Sequence, residues 1–287
     1  MLYRGQMIQM NRNPLGDGQR RFFEGSDGFA DRLALRLCER HYFPKKEFFE
    51  SLYFSRFAQR RIKRLDKERP WVALDIACGH GLTGMLLAAY VRADRLGSVY
   101  LIDPYTPTRS EELTAIFAEM SPQASSRVMR IPTRLGAWIE RVQEDPVLDG
   151  QRFFWMGCHA CGELTDAIIA VAIRRREPFL VMPCCPNRRW KGTWPRDLFR
   201  PVRADLSVLP DLGMAMDLTR LGRAQSADYR TMMRLIDVEI TPHNRVLYGE
   251  PIELLHPEEA TEVDEMATVS MDDEAQGSVE GAQESVD

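Results

Sequence analysis

One histidine among closely spaced cysteines has the residue types best suited to chemistry in this sequence. His159 lies in the segment GCHACGELTD at 157–166, two residues before Cys161. A neutral imidazole can accept a hydroxyl proton while the oxygen attacks an electrophile. We therefore interpret His159 and Cys161 as candidate catalytic residues. The alternative is that His159 is a structural histidine of the core.

Four of the six cysteines allow further interpretations. Cys158 and Cys161 form a C-x-x-C pair, and Cys184 and Cys185 follow in the segment MPCCP at 182–186. Four thiolates could bind zinc or an iron–sulfur cluster, and a single thiolate could act as a nucleophile. Adjacent side chains on a strand point to opposite faces, so Cys184 and Cys185 are a poor ligand pair. We expect packing thiols, without a bound metal or a disulfide framework.

A glycine-rich turn is the best candidate for a ligand site. The segment DIACGHG at 75–81 lies between a predicted strand and a predicted helix, where missing side chains let a ligand approach the backbone. Residues 79–84 also fit the pattern G-x-G-x-x-G, and Asp103 ends the next predicted strand, where an acid can bind ribose hydroxyls. A dinucleotide is therefore one possible ligand. The simpler alternative is that Asp75 and Asp103 only cap turns.

A basic and aromatic segment follows Cys185. Its residues of interest are Arg188, Arg189, Trp190 and Lys191, with Trp194 close behind. Cations that alternate with aromatic rings can bind phosphates and stack on bases, as single-stranded nucleic-acid sites do. We interpret this segment as substrate-binding. A surface loop whose tryptophans cover the core is the alternative.

The elements that position these residues alternate between strand and helix. Apolar runs predict strands at 71–76, 98–103, 127–131, 153–156 and 179–182, and apolar residues at helical spacing predict helices between them. Residues 211–236 predict a further helix, and 238–241 with 245–248 predict a terminal hairpin. This alternation indicates a mostly parallel α/β sheet that binds ligands at the carboxyl ends of its strands, where the turn, Asp103 and His159 fall.

The turn resembles that of the class I methyltransferases, which use S-adenosylmethionine. Asp75 lies four residues before Gly79, as in the motif D-x-G-x-G-x-G, with Ala77 in the first glycine position. We expect Ala77 to fit there with a negative φ. The predicted terminal hairpin is also similar to the reversed last strands of that fold. The resemblance implies a Rossmann-like fold and S-adenosylmethionine bound by Asp75, Ala77, Gly79, Gly81 and Asp103.

A narrower resemblance rests on the segments around the cysteines. The segments at 157–166 and 182–186, with NRVL at 244–247, are similar to those of the family that includes the eukaryotic tRNA acceptor-stem 2′-O-methyltransferase. This similarity covers roughly residues 71–250, and it implies RNA, such as tRNA, as the acceptor. The N-terminal region lacks the CCCH-like zinc finger of that enzyme, since Cys38 is its only cysteine. The resemblance therefore does not extend to one particular substrate.

Charge is distributed unevenly along the chain. Residues 257–287 contain eleven acidic and no basic side chains, so residues 1–256 carry about +7 of a total net charge of −4. A basic body suits a polyanion such as RNA, because Lys and Arg release counterions from phosphates, and the alternative is a tail that only increases solubility. We predict a flexible lead-in (1–27), a helical basic and aromatic extension (28–69), a methyltransferase domain (70–256) and a disordered acidic tail (257–287).

Together these patterns predict an enzyme that transfers a methyl group from S-adenosylmethionine to RNA. The alternatives are a small-molecule methyltransferase of the same fold, a cofactor-binding protein without catalysis and, less favoured, an NAD(P)-binding oxidoreductase. The basic residues at 56–69 and the loop at 188–194 would together face the RNA if the N-terminal helix folds back over the sheet. Without a long apolar run or a signal peptide, we expect a cytoplasmic protein with no membrane partner.

Overall fold

The computed structural model describes residues 2–3, 6–8, 10–11, 13–183, 212–241 and 244–254. The strands are β1 (Leu2–Tyr3), β2 (Gln6–Met7), β3 (Trp71–Ile76), β4 (Leu96–Ile102), β5 (Val128–Ile131), β6 (Phe153–Gly157), β7 (Phe179–Val181), β8 (Tyr229–Leu235) and β9 (Arg245–Pro251). The helices are α1 (Asp17–Arg20), α2 (Phe29–Glu39), α3 (Lys45–Arg64), α4 (Leu82–Tyr90), α5 (Ser110–Met120), α6 (Pro122–Ser125), α7 (Leu135–Glu144), α8 (Pro146–Asp149), α9 (Glu163–Arg175) and α10 (Leu212–Gln225). The predicted site residues Cys184, Cys185, Arg188, Arg189, Trp190 and Lys191 lie outside the described residues.

Seven strands form one sheet in the order β5-β4-β3-β6-β7-β9-β8. Strands β3 to β7 run parallel, whereas β9 runs antiparallel to both of its neighbours, β7 and β8. The predicted Rossmann-like sheet with an antiparallel C-terminal hairpin is confirmed. The chain moves outward from β3 to β5 on one side and from β6 to β7 on the other, so the strand order reverses between β3 and β6. Ligands of open α/β sheets bind at the carboxyl ends of the strands at such a reversal.

Successive side chains of each strand point to opposite faces of the sheet and build two hydrophobic layers. On one face, Ala73 of β3 and Phe154 of β6 pack with helices α2, α3, α4 and α5. On the other face, Leu74 and Trp155 pack with α7, α9 and α10. Because both faces are covered, β3 and β6 are buried along their whole length, which explains their uninterrupted apolar runs.

The N-terminal elements share the core of the sheet. Phe57 of α3 meets the ring of Tyr248 on β9 edge-on, with ring centroids 6.3 Å apart. Before α2, the side chains of Leu15, Phe22 and Phe23 are buried in the same hydrophobic cluster. The described part of residues 1–27 therefore differs from the flexible lead-in that we expected, because its apolar side chains complete the layer around α2 and α3.

The direction of α3 corrects the prediction for the basic residues at 56–69. The helix spans 20 residues, or roughly 30 Å, and it leads directly into the amino end of β3. It does fold back over the sheet, but its first turns and not its last ones reach the carboxyl edge. Arg61 is 4% exposed, and its guanidinium lies 5.3 Å from the ring centroid of Phe57 and 5.2 Å from that of Tyr248. The cations at 56–69 are therefore not neighbours of the glycine-rich turn.

The C-terminal elements correct the predicted helix at 211–236 and the first strand of the hairpin. Helix α10 ends at Gln225, Asp228 takes a positive φ of 60°, and β8 then pairs with β9 from Tyr229↔Pro251 to Leu235↔Arg245. Residues 238–240 form a turn, and residue 241 is not part of a strand either. Pairing with β9 thus outweighs the weak helical spacing of residues 229–235, as tertiary context commonly does.

A buried ionic network joins α9, α10 and β9. Arg220 of α10 is 3% exposed and donates to the carboxylate of Asp166, at 2.9 and 3.1 Å, and to Asp217, at 2.9 Å. Arg245 of β9 donates to the other oxygen of Asp217 at 2.7 Å. This network holds the C-terminal elements against the helix that follows β6.

In the described ranges, no helix is long and apolar enough to cross a lipid bilayer.

Candidate functional site

A cavity of about 280 Å³ lies where the strand order reverses. Its floor is the turn after β3, from Ala77 to Gly81, and its far wall is formed by Cys158 and His159, which follow β6. The structure thus brings together the two segments that the sequence identified separately. Strands β3 and β6 pair with Asp75 opposite Met156, so their carboxyl ends meet at one edge.

Three residues of the turn adopt positive φ angles, which gives the backbone its tight path. The φ angles are 55° at Ala77, 52° at Gly79 and 88° at Gly81. The expected negative φ of Ala77 is therefore wrong, because the chain turns sharply as soon as β3 ends. A Cβ at Gly81 would lie 2.5 Å from a methyl group of Leu101, whereas a Cβ at Gly79 would meet open space. Gly81 is thus required for packing, and Gly79 leaves its backbone accessible to a ligand.

Asp75 fixes the start of α4 from the end of β3. Its side chain is 1% exposed, and its Oδ2 accepts a hydrogen bond of 3.0 Å from the backbone N–H of Gly84. Burial raises the pKa of Asp75 to about 7. Asp75 also lines the cavity, so its capping role and its predicted role in cofactor binding concern the same carboxyl group.

Asp103 holds the turn from the neighbouring strand. Its Oδ2 accepts from the backbone N–H of Gly79 at 3.1 Å, and its Oδ1 accepts from that of Tyr105 at 2.9 Å. Asp103 does not line the cavity itself. Each carboxylate oxygen can accept a second hydrogen bond, so the carboxylate retains acceptor capacity for a ribose hydroxyl. The predicted ribose contact stays a prediction.

Arg130 is a second support of the turn that the sequence analysis missed. It lies on β5, two strands away from β3, and its guanidinium donates to the backbone carbonyls of Gly79 at 2.9 Å and His80 at 2.8 Å. Its Nη1 also lies 3.5 Å from the Sγ of Cys78. A single arginine in a short strand gives no signal in the sequence, because its task exists only once β5 lies beside β4.

His159 lines the cavity and faces helix α3. Its Nε2 lies 3.4 Å from Oε2 of Glu50, whose side chain is 1% exposed, and the other oxygen of Glu50 lies 3.1 Å from Nζ of Lys46. Burial lowers the pKa of His159, an effect that Glu50 opposes and Lys46 strengthens. A lowered pKa favours the neutral imidazole, which can accept a proton. The predicted role of His159 as a base stays a prediction.

The first turns of α3 supply cavity residues that the sequence analysis missed. Glu47 and Ser51 line the cavity, and the hydroxyl of Thr83 on α4 donates to that of Ser51 at 3.1 Å. A signal was present in the sequence, since Glu47, Glu50 and Ser51 place polar groups among the aromatic and aliphatic residues at 48–54. Polar residues on a helix that is otherwise buried indicate a ligand or a polar partner.

A second histidine, His80, lines the cavity from within the turn. Its ring meets those of Tyr42 and Phe43 edge-on, with centroids 5.8 and 5.3 Å apart. Burial also lowers the pKa of His80. Enclosure by two aromatic rings favours a role in the wall of the cavity over a role in proton transfer.

The described cysteines differ in burial. Cys158 is 5% exposed and lines the cavity, and burial raises the pKa of its thiol well above the usual value. Cys161 is exposed and does not line the cavity, and its predicted catalytic role stays a prediction. Among the described residues, no group of three or more His, Cys, Asp or Glu side chains is arranged to hold a metal ion.

A family match indicates the kind of reaction that this cavity supports. Residues 52–188, which include the turn, Asp103 and His159, match a protein family described as a methyltransferase domain. This match supports a methyltransferase domain in the chain. The match and the sheet topology support S-adenosylmethionine as its methyl donor. The cavity fits such a ligand, because the backbone at Gly79 is open to it and the carboxylate of Asp103 retains acceptor capacity at the adjacent strand end.

Three solved structures of similar fold each cover more than four fifths of this chain. A protein from Corynebacterium glutamicum is 14% identical, with 81% of this chain and 94% of that chain covered and a TM-score of 0.47. An O-methyltransferase from Bacillus cereus in complex with SAH is 10% identical, with 81% of this chain and 94% of that chain covered and a TM-score of 0.44. An O-methyltransferase from Streptomyces achromogenes in complex with SAM is 12% identical, with 86% of this chain and 99% of that chain covered and a TM-score of 0.45. A comparison with curated proteins finds no match.

Proposed function

We propose that this chain transfers a methyl group from S-adenosylmethionine to an oxygen or nitrogen atom of RNA, with His159 receiving the proton. The observation that carries the proposal is that the glycine-rich turn after β3 and His159 after β6 line one cavity. A donor held by the turn would lie beside a neutral imidazole. This is the arrangement that a transfer with proton removal requires.

The residues of the cavity would divide the work between binding and proton transfer. When bound, S-adenosylmethionine supplies an electrophilic methyl group. The backbone at Gly79 and Gly81 would hold the donor, and Asp103 and Arg130 keep Gly79 in place. His159 would take the proton that the acceptor atom loses as its new bond to the methyl carbon forms. The bond between that carbon and the donor's sulfur would break at the same time, with S-adenosylhomocysteine as the leaving product. Because methyl transfer needs an in-line approach, positioning by these residues would contribute much of the acceleration.

The size of the cavity supports an acceptor that approaches from outside. At about 280 Å³, the cavity formed by the described residues lies at the lower end of the range for small-molecule sites. A donor bound there would leave little enclosed room for a second small molecule. A nucleotide of an RNA chain would instead present one atom at the rim, while the rest of the RNA remains outside.

Charge is the second support for RNA as the acceptor. Residues 1–256 carry a net charge of about +7, which favours association with a polyanion. We propose Arg188, Arg189, Trp190 and Lys191 as the residues that contact it, on the strength of their types and of their position shortly after β7. The cations at 56–69 are not part of this proposed surface, because the end of α3 lies away from the carboxyl edge of the sheet.

A transfer assay with labelled S-adenosylmethionine tests the proposal on three acceptor pools: total RNA, the same RNA after ribonuclease digestion, and a metabolite extract. We expect label in intact RNA alone, and a loss of about 10²- to 10⁴-fold in kcat for His159→Ala with unchanged donor affinity. Label in the metabolite extract would instead identify a small-molecule methyltransferase. Binding of the donor without transfer to any pool would identify a protein without catalysis.

The salt dependence of RNA binding tests the proposed RNA-binding residues. Replacement of Arg188, Arg189 and Lys191 by Ala should weaken binding and flatten the slope of log affinity against log salt by roughly 0.7 for every phosphate that is no longer neutralised. The matched control replaces Lys63, Arg64 and Lys67, three cations at or just beyond the end of α3 that leads into β3, and should leave the slope unchanged. Equal slopes in the wild type and the first variant would refute the assignment.

A further inference from the structure

Glu50 is a buried carboxylate that the reaction proposed above does not use. It lies on α3, its side chain is 1% exposed, and it faces the loop after β6. A carboxylate removed from water is unfavourable unless partners compensate for the lost hydration. Its position in the middle of an aromatic helix therefore requires an explanation.

The two oxygens of Glu50 face different partners. Oε1 lies 3.1 Å from Nζ of Lys46, one turn earlier on the same helix, and Oε2 lies 3.4 Å from Nε2 of His159. The lysine alone would neutralise the charge. The second oxygen is thus turned towards the ring of the proposed base, across the boundary between α3 and the sheet.

We propose that Glu50 is a positioning residue, which holds the imidazole of His159 with Nε2–H directed at α3 so that Nδ1 is the nitrogen that receives the acceptor's proton. A neutral imidazole carries one N–H and one proton-accepting nitrogen, and a carboxylate beside one nitrogen selects the tautomer protonated there. This inference rests on the proposed function of His159. It adds a residue outside the matched segment 52–188 to the catalytic arrangement.

Lys46 and Glu50 act on His159 with opposite sign, which makes the proposal testable. Glu50 stabilises the imidazolium and raises the pKa of His159, whereas Lys46 lowers it, as does burial. The other carboxyl groups that line the cavity near the ring are Glu47 of α3 and Asp75 of β3. Both stay in place in the variants below, so a shift reports on the exchanged residue.

The direct test is an NMR titration of the imidazole of His159 in the protein without cofactor. The chain has five histidines, and the signal of His159 is assigned as the one that is missing in His159→Ala. Relative to the wild type, Glu50→Gln should lower the pKa of His159, and Lys46→Met should raise it. Glu68→Gln, an exchange of an exposed carboxylate beyond the end of α3, is the matched control and should leave it unchanged. Unchanged titration in both variants, or shifts in the same direction, would overturn the proposal. If Glu50→Gln does not fold, Glu50→Asp takes its place, and an unchanged pKa of His159 in that variant would overturn the proposal.

The pH profile of kcat provides the functional readout. Because His159 must be neutral to act, activity falls as the pH drops through its pKa. The acidic limb should therefore move to lower pH in Glu50→Gln and to higher pH in Lys46→Met. We expect kcat to fall roughly tenfold in Glu50→Gln, with KM little changed and partial rescue by Glu50→Asp. If the titrations shift as expected but His159→Ala retains full turnover, the coupling stands and the proposed function of His159 fails.

Discussion

At the scale of single residues, the turn after β3 combines a strained backbone conformation with several side-chain hydrogen bonds that fix it. Ala77 takes a φ of 55°, a conformation that costs an L-residue about 1–2 kcal/mol and that glycine adopts freely. The family motif that this turn resembles has glycine at that position. This chain therefore carries a local strain that the surrounding contacts of Asp75, Asp103 and Arg130 overcome.

Ala77→Gly should stabilise the protein. Relief of the positive φ outweighs the extra chain entropy of glycine in the unfolded state, which leaves a gain of about 0.5–1 kcal/mol in the free energy of unfolding. Urea unfolding measures this difference. Ala73→Gly, at a buried position within β3, is the control and should destabilise by about 1 kcal/mol. A loss of stability in Ala77→Gly would show that the methyl group makes contacts that outweigh the strain.

Arg130→Met should weaken binding of S-adenosylhomocysteine roughly tenfold, because the carbonyls of Gly79 and His80 lose their donor and the turn is no longer fixed. Calorimetric titration measures the change in Kd. Arg134→Met, at an exposed position after β5, should leave Kd within about twofold. Equal affinities for the wild type and Arg130→Met would mean that the turn keeps its shape without this support.

At the scale of elements, the regular part of the fold could be predicted from the sequence, whereas the contacts between distant elements could not. The buried strands β3, β4, β6 and β7 follow from apolar runs, and the turn follows from its glycines. The direction in which α3 crosses the sheet could not be predicted from its sequence. The pattern of α3 gave its buried face but not which of its ends meets the cavity, so Glu47, Glu50 and Ser51 were missed and residues 56–69 were misplaced.

The ionic network between α9, α10 and β9 should matter more for stability than surface ion pairs do. Asp217→Ala leaves the buried guanidinium of Arg220 with one carboxylate fewer and removes a hydrogen-bond partner of Arg245. We expect a loss of about 3–5 kcal/mol in the free energy of unfolding, measured in urea. Asp94→Ala, which breaks the exposed pair with Arg92, should change it by about 0.5 kcal/mol or less. Similar losses in both variants would contradict this account.

At the scale of the whole molecule, the N-terminal helices and the sheet contribute to the same hydrophobic layer and to the same cavity. The N-terminal helices α2 and α3 pack in the same hydrophobic layer as β3, β6 and β9, and α3 forms a wall of the cavity. The match to the methyltransferase domain begins at residue 52, within α3, so the first turns of that helix add Glu47 and Glu50 from outside the matched segment. The N-terminal region is thus a part of the site and not only a basic extension beside it.

Calorimetric titration with S-adenosylhomocysteine tests the central claim, a methyl-donor site built on the turn after β3. We expect about one ligand per chain in the wild type, no binding of NADH, and a loss of about ten- to a hundredfold in affinity for Asp103→Ala, since a charged hydrogen-bond partner contributes about 1.5–3 kcal/mol. Binding of NADH without binding of S-adenosylhomocysteine would contradict the account and assign the turn to a dinucleotide.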